Sequence, residues 1–176
     1  TATASSSASL TFTSGIDSTY DVYEFQFINL HAQTNNVYFT FQVNATDGAD
    51  YNDSAITSTM FAAFHDEPSE GTFADVYYDG THDNANSTNE TRLTVFVANA
   101  NDDSISGKMT LYAPSSGTYV KHFMSRISNA KTDPAASGTY VAGYINDTTA
   151  IDDIRFKMSS GNIDAGVIKM YGIAKS

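Results

Sequence analysis

The chain has 176 residues, contains no cysteine and carries a formal net charge of −11 at pH 7. Its length suits one domain with a real core, and the lack of cysteine excludes disulfides, thiolate zinc sites and cysteine nucleophiles. The negative charge disfavours nucleic-acid binding, because phosphates repel it. The sequence contains no apolar run of about 18 residues, so it predicts no segment that spans a membrane.

The first third of the chain predicts strands. Residues 1–9 are polar and predict a flexible lead into a first strand at residues 10–13. Aromatic and aliphatic residues then alternate with polar ones over residues 23–27 and 37–43. Period-two spacing is typical of strands with one buried face, so we expect Thr40 and Gln42 to face water.

The middle of the chain is harder to interpret. Residues 55–64 fit either a short helix or an irregular strand, and both alternatives stay open. Residues 66–89 are polar, acidic and interrupted by glycine, which predicts a long surface excursion with an edge strand near residues 73–78. Long loops are common places for functional residues.

The second half returns to strands separated by turn residues. Alternating runs occupy residues 93–97, 109–113, 119–123, 140–144, 154–158 and 167–173. Eight to ten strands with regular turns predict an all-β fold, an antiparallel β-sandwich of jelly-roll-like form. No internal boundary is visible, so we expect residues 10–176 to form a single domain.

Charge is distributed unevenly along the chain. Residues 1–91 carry thirteen acidic and no basic side chains, and all nine basic residues lie from Arg92 onward. The closing strands place Arg155, Lys157 and Lys169 at alternating positions, and we expect them on one exposed face. Such a face would suit the acidic loops of a neighbouring subunit, which predicts a homo-oligomer.

The sequence offers little for catalysis. It has no G-x-S-x-G nucleophile motif and no histidines at metal-ligand spacing. Glu24 is the one attractive carboxylate for glycoside hydrolysis, which needs two carboxylates flanking the bond. Its position also fits an ordinary outward-facing strand residue, so we predict no catalytic residues and no enzyme.

Two acidic loops are candidates for calcium, which prefers several oxygen ligands. Asp47, Asp50 and Asp53, with Asn52 between them, form the first. The second contains Asp75, Asp79, Asp83 and Asn84. Neither has the spacing of an EF-hand loop, so solvated acidic loops are the simpler interpretation and no cofactor is expected, with calcium as the alternative.

Tyr77 and Tyr78 lie within the acidic excursion and are candidates for binding a glycan. An exposed tyrosine ring can stack on a sugar face while its hydroxyl forms a hydrogen bond. The simpler alternative is that both rings pack in the core or against another subunit.

Several stretches together resemble a known family. They are Ser7–Asn29, Tyr119–Phe123, Val141–Asn146 and Ile151–Ile173, the last with the pattern G-x-I-K-x-Y-G-I. This sequence resembles small β-rich virion proteins of marine tailed phages, described as tail, fibre or structural proteins. The resemblance implies a place in the particle and assigns no catalytic or binding residues.

The leading functional hypothesis is therefore a non-enzymatic structural protein on the virion exterior. It would be a capsid decoration or a tail appendage, with other virion proteins as partners and a trimer as the expected oligomer. The alternative is a carbohydrate-binding module that recognises host-surface glycans.

Overall fold

The computed structural model describes residues 1–46, 48, 50–67, 74–132 and 135–175, and these form two antiparallel β-sheets packed face to face. An eight-stranded sheet, sheet A, has the order β1-β12-β3-β8-β9-β10-β5-β6, and a four-stranded sheet, sheet B, has the order β2-β11-β4-β7. The strands are β1 (Ala2–Thr3), β2 (Leu10–Phe12), β3 (Val22–Ala32), β4 (Phe39–Ala45), β5 (Ile56–Asp66), β6 (Ala74–Tyr77), β7 (Thr91–Arg92), β8 (Ile105–Tyr112), β9 (Lys121–Lys131), β10 (Ala135–Ile145), β11 (Ile151–Met158) and β12 (Ile163–Ile173).

The prediction of an all-β antiparallel sandwich is confirmed. The helical element among the described residues is one short 3-10 turn, Gly80–His82. Residues 55–64 resolve into strand β5, which pairs with β10 and with the edge strand β6. The unequal sheets do not establish a jelly-roll arrangement, which remains a prediction.

Aromatic rings from both sheets form the centre of the core. Phe156 on sheet B lies 5.4 Å from Phe25 and 5.3 Å from Phe27 on sheet A, measured between ring centroids. It also stacks on Phe39, its neighbour in sheet B, at 5.8 Å. All four side chains are essentially inaccessible to solvent. Large buried rings supply much of the apolar area that stabilises a sandwich.

The N-terminal residues 1–9, which the sequence predicts to be a flexible lead, pair with other strands in the fold. Strand β1 pairs with β12 at the edge of sheet A, Ala4 is buried, and Ser7 forms an isolated bridge with Ile163. The segment predicted as a lead thus contains an edge strand of the main sheet.

Strand β4 contradicts the expected alternation. Thr40 is 3% exposed and Gln42 is fully buried, although both side chains point away from the core. Gln42 Nε2 donates hydrogen bonds to the carbonyls of Thr88 and Asn89, at 3.0 and 3.3 Å. The chain before β7 therefore covers the outer face of sheet B, and period-two spacing could not foresee that cover.

The prediction that Arg155, Lys157 and Lys169 share one exposed face is also wrong. β11, which carries Arg155 and Lys157, belongs to sheet B, whereas β12, which carries Lys169, pairs with β3 in sheet A. The turn between the two strands crosses from one sheet to the other instead of closing a hairpin. Arg155 and Lys169 consequently lie on opposite sides of the sandwich.

Residues 93–97 are buried in alternation as predicted, but they form little regular strand. Leu93, Val95 and Val97 are at most 1% exposed, while strand β7 ends at Arg92. Val97 makes isolated bridges with Val37 and Lys131. The segment fills the core between the sheets without joining either one as a full strand.

Candidate functional site

The outer face of sheet A is the main exposed apolar surface among the described residues. Ten large hydrophobic side chains are exposed in the described part of the chain, and eight of them lie on this face: Ile28, Phe61, Val76, Tyr112, Met124, Tyr140, Tyr171 and Ile173. Monomeric proteins rarely gather so many exposed apolar groups in one place unless the patch binds something.

A continuous row of side chains crosses six strands of this face. The cross-strand register runs Lys169, Gln26, Lys108, Arg126, Tyr140, Phe61. Side chains at paired positions lie about 5 Å apart and interact directly. Three of the nine basic residues of an acidic protein therefore stand in one line.

The row ends in a cluster of aromatic rings. The rings of Phe61 and Tyr140 stack with centroids 5.1 Å apart and an angle of 8° between their planes. The guanidinium of Arg126 lies 5.3 Å from the centroid of Tyr140, within the range of a cation–π contact. Phe61 remains 47% exposed, so the stack presents its free surface to solvent.

Two shallow depressions lie side by side on the same face. The larger, about 810 Å³, runs between Glu24, Lys108, Arg126 and Tyr140. The second, about 480 Å³, is lined by apolar and aromatic groups that include Tyr112, His122, Met124 and Tyr144. Both are open grooves rather than enclosed cavities, a shape that suits an extended or macromolecular partner.

Glu24 serves on this face as an ion-pair partner. Gln26 Nε2 donates to Glu24 Oε1 at 3.0 Å, and Lys108 Nζ lies 2.7 Å from Glu24 Oε2. These two hydrogen bonds lower the pKa of Glu24, which keeps it ionised and makes it a poor general acid. Its cross-strand neighbours, Thr110 and Tyr171, supply no second carboxylate.

The opposite face of the sandwich is closed by the chain itself. Arg155 forms an ion pair with Glu90, and its guanidinium lies 4.4 Å from the centroid of Tyr51. Thr40 Oγ1 donates to the carbonyl of Lys157 at 3.0 Å. Residues from two loops therefore cover sheet B, whereas no comparable cover lies on sheet A within the described part of the chain.

The structure separates the two predicted glycan-binding tyrosines. Tyr77 is half-buried, and its hydroxyl hydrogen-bonds Asp79 at 3.2 Å and the His82 ring at 3.3 Å. Tyr78 is 64% exposed and donates to Asp83 at 3.1 Å. Tyr77 packs against the core, so the two rings do not form one platform, and their role in glycan binding remains a prediction.

The predicted calcium residues are only partly described. Asp47 lies outside the described residues, whereas Asp50 and Asp53 are both exposed. Asp50 Oδ1 accepts from the backbone N–H of Asn52 at 3.3 Å, and Asp53 Oδ1 accepts from Ser54 Oγ at 3.5 Å. Within the described ranges, no group of three or more His, Asp or Glu side chains could hold a metal ion.

The second acidic loop is occupied by internal hydrogen bonds. Asp79 Oδ1 accepts from the N–H of Thr81 at 2.9 Å, which caps the 3-10 turn. Asp83 Oδ1 accepts from the N–H of Met60 at 2.9 Å. Asp83 therefore holds the excursion against β5, while Asp79 stabilises the turn itself, and the sequence pattern did not predict these structural roles.

The row of side chains on sheet A could not be predicted from the local sequence pattern. Lys108, Arg126 and Tyr140 come from three different strands, and only the pairing register brings them together. The available signal was the presence of Met124, Tyr140 and other large groups at the polar positions of alternating strands, where small polar residues are usual.

Comparison with protein-family models, with curated proteins and with solved structures found no match to this chain. No helix in the described part of the chain is long and apolar enough to span a membrane.

Proposed function

We propose that this protein is a non-enzymatic structural component of a phage particle exterior, and that the outer face of sheet A docks on an acidic surface of a neighbouring copy. The resemblance to virion proteins supports the setting. The single observation that carries the docking surface is the concentration of exposed apolar groups and a basic row on the uncovered sheet.

The face is large enough for a stable contact. Strands lie about 4.8 Å apart and rise about 3.3 Å per residue, so six strands of eight to eleven residues offer an area of roughly 30 by 27 Å. A standard interface buries about 800 Å² on each partner. The strands of sheet A alone therefore offer enough area for an interface of that size.

Charge complementarity favours a second copy as the partner. Lys108, Arg126 and Lys169 make the face locally basic, whereas the chain as a whole carries −11. Exposed carboxylates such as Asp17, Asp50 and Asp102 lie in loops outside the strands of sheet A. A face of one copy meeting loops of the next makes a head-to-tail contact, and such contacts form a closed ring, such as the expected trimer, when the rotation between copies closes.

The decisive experiment measures the oligomeric state of the wild-type chain and of a variant in which the charge of this face is reversed. Light scattering coupled to size-exclusion chromatography should find the wild type above the monomer mass of 19.0 kDa at low salt. The double variant Arg126→Glu, Lys169→Glu should elute as a monomer, because like charges then oppose each other across the contact.

The matched control is Lys157→Glu, which makes the same charge change on sheet B. It should leave the oligomer intact. A wild type that is monomeric at both low and high salt would contradict the docking proposal. The virion setting is tested separately, by finding the chain in purified particles at a copy number that matches their symmetry.

A second candidate, a glycan-binding module, is favoured by one observation. The stacked rings of Phe61 and Tyr140 stand exposed beside Arg126 in an open groove, and sugar rings bind such apolar faces with polar groups at their rim. Binding on a glycan array that Tyr140→Ala abolishes and Tyr78→Ala retains would support it. Equal loss in both variants, or no binding by the wild type, would count against this groove.

A further inference from the structure

The amide of Asn44 lies among hydrogen-bond acceptors at the end of β4. Asn44 is 9% exposed, and its Oδ1 has no hydrogen-bond partner among the described residues. Its Nδ2 donates to the carbonyl of Gly48 at 3.4 Å, and the side chain also hydrogen-bonds the carboxyl of Asp153, the cross-strand partner. A buried acceptor without a donor is destabilising unless something else satisfies it.

A carboxylate approaches the same oxygen. A Cβ placed on Gly48 would lie 1.9 Å from Asp53 Oδ2 and 2.7 Å from Asn44 Oδ1, so these two oxygens lie close to each other on the same side of the glycine. Neither can donate a proton to the other. Turning the amide over would not help, because its oxygen would then face the Gly48 carbonyl and Asp153.

Two further carboxylates lie beside this amide. Asp153 is its hydrogen-bond partner, and Asp152 precedes Asp153 in β11. Asp152 Oδ1 is itself buried without a partner among the described residues. The end of β4 is therefore surrounded by an excess of oxygen acceptors and of negative charge, and a hard cation with oxygen ligands corrects both at once.

We propose that Asn44 Oδ1, Asp53 and Asp153 bind a calcium ion where the loop after β4 meets β11. The three side chains come from β4, from the loop and from the neighbouring strand, so the ion would fasten the loop to sheet B. Calcium fits better than magnesium, because it accepts irregular sets of carboxylate and amide oxygens while magnesium demands a near-octahedral shell. The site is independent of the docking surface on sheet A.

The test is a calcium titration of the full chain after removal of metal. Calorimetry should detect one site, with a dissociation constant of roughly 10⁻⁴ M, as in extracellular modules. At a hundredfold excess over that constant, the melting temperature should rise by about 5 °C or more. Magnesium at the same concentration should have a much smaller effect, and an equal shift would indicate general screening and contradict the proposal.

Two variants make the test specific. Asp53→Asn, at an exposed position, and Asp153→Asn should each weaken calcium binding at least tenfold. In calcium-free buffer Asp153→Asn should melt no lower than the wild type, since the substitution removes a repelling charge. Asp102→Asn, an exposed carboxylate in the loop before β8, is the control and should bind calcium normally. Unchanged binding in both site variants, or no binding by the wild type, would overturn the proposal.

Discussion

The rings of Phe61 and Tyr140 stack in parallel on the outside of the main sheet, with centroids 5.1 Å apart and an angle of 8° between the planes. They occupy directly paired positions of β5 and β10. The pair contributes a modest stabilisation of about 0.5–1.5 kcal/mol beyond its buried area. The stack therefore stabilises the sheet only slightly, and its exposed ring is available for a partner.

Replacing Phe61 by serine should weaken assembly more than folding. The substitution removes an exposed ring from the docking face, so we expect a loss of oligomer and a decrease in unfolding free energy of about 1–2 kcal/mol, from the lost stack and its partly buried area. Light scattering and urea denaturation measure the two effects. Tyr119→Ser, which removes a ring that is 73% exposed elsewhere, is the control and should leave assembly unchanged. An oligomer that survives Phe61→Ser would argue against this part of the face.

Replacing Phe156 by alanine should be strongly destabilising. The ring is fully buried and contacts Phe25, Phe27 and Phe39. Removing a buried aromatic side chain leaves a cavity and typically lowers the unfolding free energy by about 3–5 kcal/mol. Urea denaturation would measure it, and a loss below about 1 kcal/mol would show that this ring is not central to the core.

Two glycines of β10 give a matched pair. A Cβ on Gly143 would lie 2.4 Å from the carbonyl oxygen of Thr57 and 2.7 Å from Phe123 Cζ, whereas a Cβ on Gly138 would meet nothing within 4 Å. Gly143→Ala should therefore lower the unfolding free energy by about 1–3 kcal/mol through overpacking. Gly138→Ala should be neutral or slightly stabilising. Thermal melts of both variants test this, and equal effects would contradict the packing argument.

Lys121 should make stability rise with pH in the alkaline range. Its side chain is buried, and Nζ donates to the carbonyls of Asp147 and Thr149. Burial lowers the pKa of Lys121 below its ordinary value of 10.5, and the charge of Asp147 only partly opposes this. Between the lowered pKa and 10.5 the unfolded chain binds more protons than the folded one, so raising the pH in that window favours folding.

The measurement for Lys121 is a set of urea unfolding curves between pH 7 and about pH 10, compared with Lys121→Met. The wild type should gain stability relative to the variant as the pH rises, because methionine has no proton to lose. Restricting the range to pH values below about 10 limits the contribution of tyrosine ionisation. A constant difference between the two proteins would mean that Lys121 keeps its ordinary pKa.

The local pattern of the chain predicts much of this fold and little of its surface. Alternation identified the buried sets of β3, β8 and β11, because every second side chain of a strand faces the core. It selected the wrong face of β10, where Val141 is buried and Tyr140 is exposed. It also failed for Thr40 and Gln42, which a distant loop covers. It also could not place Lys169, since the neighbour of β12 is β3 and not β11.

Local sequence specifies the all-β class and the charge of this protein: short alternating strands, a core built from aromatic rings, and an acidic first half. Which strands are neighbours depends on the tertiary fold. Only that pairing puts Lys108, Arg126 and Tyr140 in one row and Asn44 beside Asp153. The physical reason is that alternation specifies the buried side of each strand, whereas hydrogen-bonded pairing between distant segments specifies which exposed side chains meet.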